Sequence, residues 1–199
     1  TAARSRLRVA FEVGFLTFII TLSIAYTEGM LDVVTRILAD GLVLPIVGLG
    51  IWALLMIPNN QKYQAYARIL MAGLTAYAAA KIIGALYQPE AMRPFEKMGV
   101  DAGASSLNNP GFPSDHALFC MAITLAVWRE TGRTKLALAL LAMTLAVGFG
   151  RVLGLVHTPY DVLGGLAIAC VGLPWYFWPR RKAQAVRTES RAKRKNSVK

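Results

Sequence analysis

Residues 136–178 read LALALLAMTLAVGFGRVLGLVHTPYDVLGGLAIACVGLPWYFW. Two long apolar runs flank an Arg, a His and an Asp that fall within residues 151–161. Ionisable groups at the edge of a membrane span are expensive to place and usually mark function. The remaining residues say which function. The chain has 199 residues, 55% of them hydrophobic, with a mean hydropathy of +0.45. That is too apolar for an ordinary soluble domain, and runs long enough to cross a bilayer recur along it. The short alternating segments of a transmembrane β-barrel are absent. The expected fold is all-α, a polytopic membrane protein.

Six transmembrane helices in a bundle can be drawn, at about 8–27, 41–57, 65–87, 115–130, 135–152 and 160–178. No small-residue cleavage site follows the first apolar run, so that run is expected to remain as a span. Between the first two spans, Asp32, Arg36 and Asp40 recur every fourth residue opposite Leu31, Val34, Ile37 and Leu38. This pattern predicts a short helix lying in the interface. Of the 22 Lys and Arg, one side of the membrane receives only Arg36, Lys81, Arg93, Lys97 and Arg151. The other side takes the rest, so both termini are expected in the cytoplasm.

The chain divides into a membrane domain, 1–179, and a basic tail, 180–199, expected to be disordered and drawn to anionic lipid headgroups. The tail holds most of the net charge of +11, which says little about substrate, and beside a membrane domain it does not point to nucleic acid. Glu12 is expected to pair with Arg8 one turn back. Cys120 and Cys170 lie in apolar segments and read as small packing residues.

The polar residues collect on the outer face. In NPGFPSDHALF (109–119), Pro113 and Ser114 suit a helix start, with Ser114 as cap and Asp115 favoured by the positive end of the dipole. The same first turn can cradle an anion on its free N–H groups and the Ser114 hydroxyl. His116 tips the balance, because a cap does not need it and the dipole disfavours its protonated form. In VHTPYD (156–161), Thr158, Pro159 and Asp161 make a second helix start. Asp161 can instead accept a hydrogen bond from His157, leaving the other ring nitrogen free as nucleophile or base. Arg151 and Lys81 singly could snorkel to headgroups. Together, two cations, an anion-holding helix start and two histidines describe a phosphate pocket with a nucleophile and a proton donor. Gly150 and Gly154 form a small-residue pair suited to helix packing.

The order Lys81 with Arg93-Pro94, then Pro113-Ser114-Asp115-His116, then Arg151 with His157 and Asp161, resembles the type 2 phosphatidic acid phosphatase superfamily of membrane lipid phosphatases. Three departures stand out. Eleven residues separate Lys81 from Arg93, more than is usual; Asp115 replaces a common Gly; and Gly150 replaces the Ser that usually precedes the Arg. The resemblance implies that His157, oriented by Asp161, attacks phosphorus to form a phosphohistidine. His116 then protonates the leaving oxygen, and Lys81, Arg93, Ser114, Asp115 and Arg151 surround the phosphate. No metal or other cofactor is implied. The implied substrate is a membrane lipid, first a polyprenyl (undecaprenyl) diphosphate, with phosphatidylglycerophosphate, phosphatidic acid or lipid A phosphates as alternatives. The implied location is the cell membrane, with the site facing the periplasm or cell exterior.

Competing readings fit less well. Transporters place such groups near the midplane of broken helices. A vanadate-dependent haloperoxidase would be soluble. A silent scaffold would have been free to lose one of the histidines, Asp161 or Arg151.

Overall fold

The computed structural model describes residues 29–90, 92–107 and 111–178. The expected span at 8–27, the Arg8–Glu12 pair and the tail at 180–199 lie outside the described residues. The described chain is all-α: α1 (Gly29–Leu55), α2 (Asn59–Leu86), the short α3 (Pro94–Met98), α4 (Asp115–Thr131), α5 (Thr134–Leu153) and α6 (Pro159–Ala169). Beyond α6 the chain passes through a 3₁₀ turn, Cys170–Gly172, into a last helical turn, Leu173–Tyr176.

Helices α1, α2 and α5 are long and apolar enough to cross a membrane. The expected spans at 115–130 and 160–178 coincide with shorter elements: α4 has 17 residues, and α6 breaks at Cys170. Proline explains the break. Pro174 has no N–H, and its ring would crowd the carbonyl four residues back, that of Cys170. The separate interfacial helix expected at 30–40 is not seen; those residues are the first half of α1. The charge pattern there is real, but Pro45 does not end the helix. A π turn, Ile37–Gly41, widens the backbone just before the proline's ring would meet the Gly41 carbonyl, and Leu42 N–H donates to Ile37 O at 2.9 Å.

Helix α4 is central, packing against α1, α2, α5 and α6. One core joins Leu118 and Leu125 of α4 to Ala72, Ala76 and Ala80 of α2 and Ile168 beyond them. The other joins Cys120 and Val127 to Ile46 and Ala53 of α1 and Leu140 and Val147 of α5. Both cysteines are free thiols. Across α4 and α5 the hydroxyls of Thr124 and Thr144 meet at 3.1 Å, both buried, and each bonds back to a carbonyl one turn earlier. At the far end from the polar residues, Arg68 of α2 grips Glu130 of α4 through two hydrogen bonds of 2.7 and 2.6 Å. This bidentate pair is nearly buried.

Small residues set the closest approaches. A side chain at Gly150 of α5 would meet the Ala39 backbone nitrogen at 2.5 Å, so only glycine lets α1 and α5 touch here. A side chain at Gly165 of α6 would likewise meet the Ser114 carbonyl oxygen at 2.5 Å, so glycine there lets the starts of α4 and α6 converge. Restoring the family's usual residue by Gly150→Ser should therefore destabilise the protein by about 1–3 kcal/mol, the usual range for overpacking. Thermal unfolding in detergent micelles checks this; an unchanged midpoint would show that α1 can withdraw.

Candidate active site

Two helix starts are bonded directly to each other. Ser114, fully buried, caps α4 by accepting weakly from Ala117 N–H at 3.5 Å. Its own N–H donates to the Asp161 carbonyl at 3.0 Å, in the first turn of α6. Thr158 caps α6 through a reciprocal box: Asp161 N–H donates to its hydroxyl at 3.2 Å, and Thr158 N–H donates to Asp161 Oδ2 at 2.8 Å. Both positive helix ends thus face one place, which favours an anion there. The loop leading to Ser114 is anchored by Phe112, stacked on Tyr160 with ring centroids 5.4 Å apart and set edge-on to Tyr87 at 5.6 Å.

Of the two readings of Asp161, the helix cap is the one made as hydrogen bonds, and His157 stands beside it. The same Oδ2 that closes the capping box lies 3.7 Å from His157 Nδ1, an ion-pair contact too long for a closed hydrogen bond. His157 is 4% exposed. Among the described residues its Nδ1 has no hydrogen-bond partner, and the same holds for Arg151 Nε. Burial pushes the His157 imidazole below its usual pKa, with nearby Arg151 and Arg93 acting the same way and Asp161 opposing them. The neutral ring that results has a lone pair to use.

Arg151, 2% exposed, lies in the last turn of α5. Its carbonyl accepts the N–H groups of Val156 and His157, at 3.2 and 3.3 Å, so the turn that carries His157 is wrapped on the arginine's own backbone. Leu155 holds a left-handed conformation there (φ 56°), a costly one for a leucine, and its carbonyl is fixed by Phe95 N–H at 3.0 Å. Arg93, 7% exposed, caps α3 and donates through Nη1 to Val156 O at 2.9 Å and through Nη2 to Leu107 O at 3.2 Å.

A cavity of about 280 Å³ gathers these groups; His116, His157, Arg93 and Arg151 line it with Ser105 and Asp115. Ser114, the cap of α4, does not line it. Lys81 is not among its lining residues: its Nζ pairs with Asp115 at 3.1 and 3.3 Å, about half exposed. Beside the cavity runs an apolar groove of about 730 Å³ between α2 and α4, lined by such residues as Leu70, Tyr77, Leu118 and Phe119.

Two residues of the site escape sequence reasoning. Asp40, in the π turn of α1, accepts from Arg151 Nη1 at 2.9 Å and from the backbone and hydroxyl of Ser105 at 2.9 and 2.7 Å, and lies 3.7 Å from His116 Nε2. Ser105 in turn lies 3.3 Å from Arg151 Nη1. The available signal was an acid in the middle of an otherwise apolar stretch, here assigned instead to a charged helix face.

Comparison with known proteins gives the family. Residues 61–184, more than half of the chain, match the PAP2 superfamily, and the protein belongs to that family of phosphatases. Among curated proteins, the chain is 30% identical over 142 residues to the bacitracin transport permease protein BcrC of Bacillus licheniformis. That alignment covers 68% of this chain and 64% of the relative, less than two thirds of its length. No solved structure gives a significant match.

With only two histidines in the chain, their titrations can be followed separately by NMR of histidine-labelled protein. His157 is expected to titrate below the value of about 6.5 for free imidazole. Asp161→Asn, which removes a carboxylate favouring the cation, should move it lower still. A rise in the variant would contradict the arrangement.

Proposed function

We propose that this protein is a lipid phosphatase of the cell membrane, with its site on the outer face, acting first on polyprenyl diphosphate to give the monophosphate. One observation carries the reading: both histidines and both arginines converge on a small polar cavity that adjoins a long apolar groove. A phosphate group fits the first chamber and a lipid chain the second. The six-span layout and cytoplasmic termini belong to the same proposal and rest on the charge distribution.

In this scheme the His157 nitrogen that faces away from Asp161 attacks phosphorus, and the bond to the bridging oxygen breaks. His116 gives its proton to the departing oxygen. Water then attacks the phosphohistidine while His116 takes a proton from it, releasing orthophosphate and restoring both rings. Arg151 and Arg93 hold the equatorial oxygens, with the Ser114 hydroxyl and the first-turn N–H groups of α4 beside them. Asp161 acts through His157 and is a positioning residue. Phosphatidylglycerophosphate, phosphatidic acid and lipid A phosphates are the alternative substrates. A transport role is the second reading, favoured by the printed name of the Bacillus relative.

The test is phosphate release, with EDTA present, from polyprenyl diphosphate, phosphatidylglycerophosphate and phosphatidic acid in detergent micelles. Release is expected from at least one lipid, and His157→Ala should lower it about a thousandfold or more. Equal release by the variant would remove His157 as nucleophile, and no release from any lipid would return the transport reading to first place.

A further inference from the structure

Two departures from the family pattern, the long spacing after Lys81 and the acid at position 115, meet in space. Lys81 Nζ lies against both carboxylate oxygens of Asp115, at the join between the two chambers. Asp115 lines both the cavity and the groove, whereas Lys81 lines the groove alone. The arginines occupy the polar side. A lipid with its scissile phosphate beside His157 and its chain between α2 and α4 must therefore pass Lys81 on the way. In a phosphomonoester, the atoms at that point are an ester oxygen and neutral carbon. In a diphosphate they are a second anionic phosphate.

From this placement we propose that Lys81 binds the second, chain-side phosphate of a lipid diphosphate, with Asp115 as its resting partner, so that the pair selects diphosphates over phosphomonoesters. The assignment rests on the phosphatase reading above. An exposed Lys–carboxylate pair is weak and readily exchanged, and the lysine's flexible stem lets it swing to a doubly charged neighbour. Asp115 is then left half-exposed to water rather than buried without a partner. When the bridging bond breaks, the departing group is the lipid monophosphate. Its bridging oxygen takes the electron pair of the broken bond together with the His116 proton, and Lys81 stays paired with the negative charge that this phosphate already carried.

The experiment compares kcat/KM for farnesyl diphosphate and for phosphatidic acid in micelles, using wild type, Lys81→Met and Asp115→Asn. The loss in Lys81→Met should be about tenfold larger on the diphosphate than on the monoester, the scale of one charge-assisted contact. An equal loss on both would place Lys81 on the scissile phosphate, and no loss on either would leave an ordinary surface pair; each result overturns the proposal. Calorimetric binding of inorganic pyrophosphate and orthophosphate supplies a readout that needs no turnover. Wild type should prefer pyrophosphate, Lys81→Met should lose that preference, and Asp115→Asn should strengthen it by freeing the lysine. If wild type hydrolyses neither lipid, the phosphatase reading fails and these binding data still decide the role of Lys81. If Lys81→Met does not fold, pyrophosphate affinity unchanged or lowered in Asp115→Asn overturns it.

Discussion

A guanidinium as deeply buried as that of Arg151 cannot stand without compensation, since desolvating a charge costs several kcal/mol unless it is paired and hydrogen-bonded. Much of the structure around the cavity satisfies that demand. Asp40 supplies the opposite charge, and it can do so only because α1 runs against α5 at Gly150. The π turn that carries Asp40 also lets α1 continue through Pro45. Ser105 completes the ring, bonding Asp40 twice and so holding the loop 99–107 over the site. Ala39, Ala104 and Val156 fill the space beneath that loop. Gly150, an apparent loss of a phosphate ligand, is therefore the condition for a carboxylate that the usual serine would crowd out.

The second organising contact is the Ser114–Asp161 hydrogen bond between helix starts. It makes the spacing of His116 and His157 a property of backbone rather than of flexible side chains. Asp161 fixes the turn and faces the imidazole with one oxygen, so capping and orientation are inseparable there. Substitutions at this position will mix loss of helix start with loss of imidazole alignment, and the NMR titration separates the two.

Much of the site was legible in the sequence because its parts lie in short windows at helix starts, where cap, proline and acid follow local rules. The stretches 113–116 and 157–161 fold as their residues dictate. Asp40 and Ser105 were not legible, because their roles depend on contacts 111 and 46 residues away in the chain, which no local pattern encodes. The extent of α1 was misjudged for a different reason: proline ordinarily ends a helix, and a π turn is an exception that periodicity cannot announce. Likewise the apolar run at 160–178 looked uniform, whereas Pro174 and the 3₁₀ turn divide it. The pairing of Lys81 with Asp115 was equally hidden, because it joins two helices across 34 residues of chain.

Helices α2 and α4 are joined unequally at their two ends. The bidentate Arg68–Glu130 grip is shielded from water, while the Lys81–Asp115 pair is half-exposed. Arg68 and Lys81 are separated by about 20 Å of helix. Between these ends the alanines of α2 pack on Leu118 and Leu125 of α4, so the two helices are held along their length by apolar contact. The two ionic ends then differ in how readily they exchange partners: the shielded pair holds against water and salt, whereas the half-exposed one is screened by both and can trade its partner at little cost.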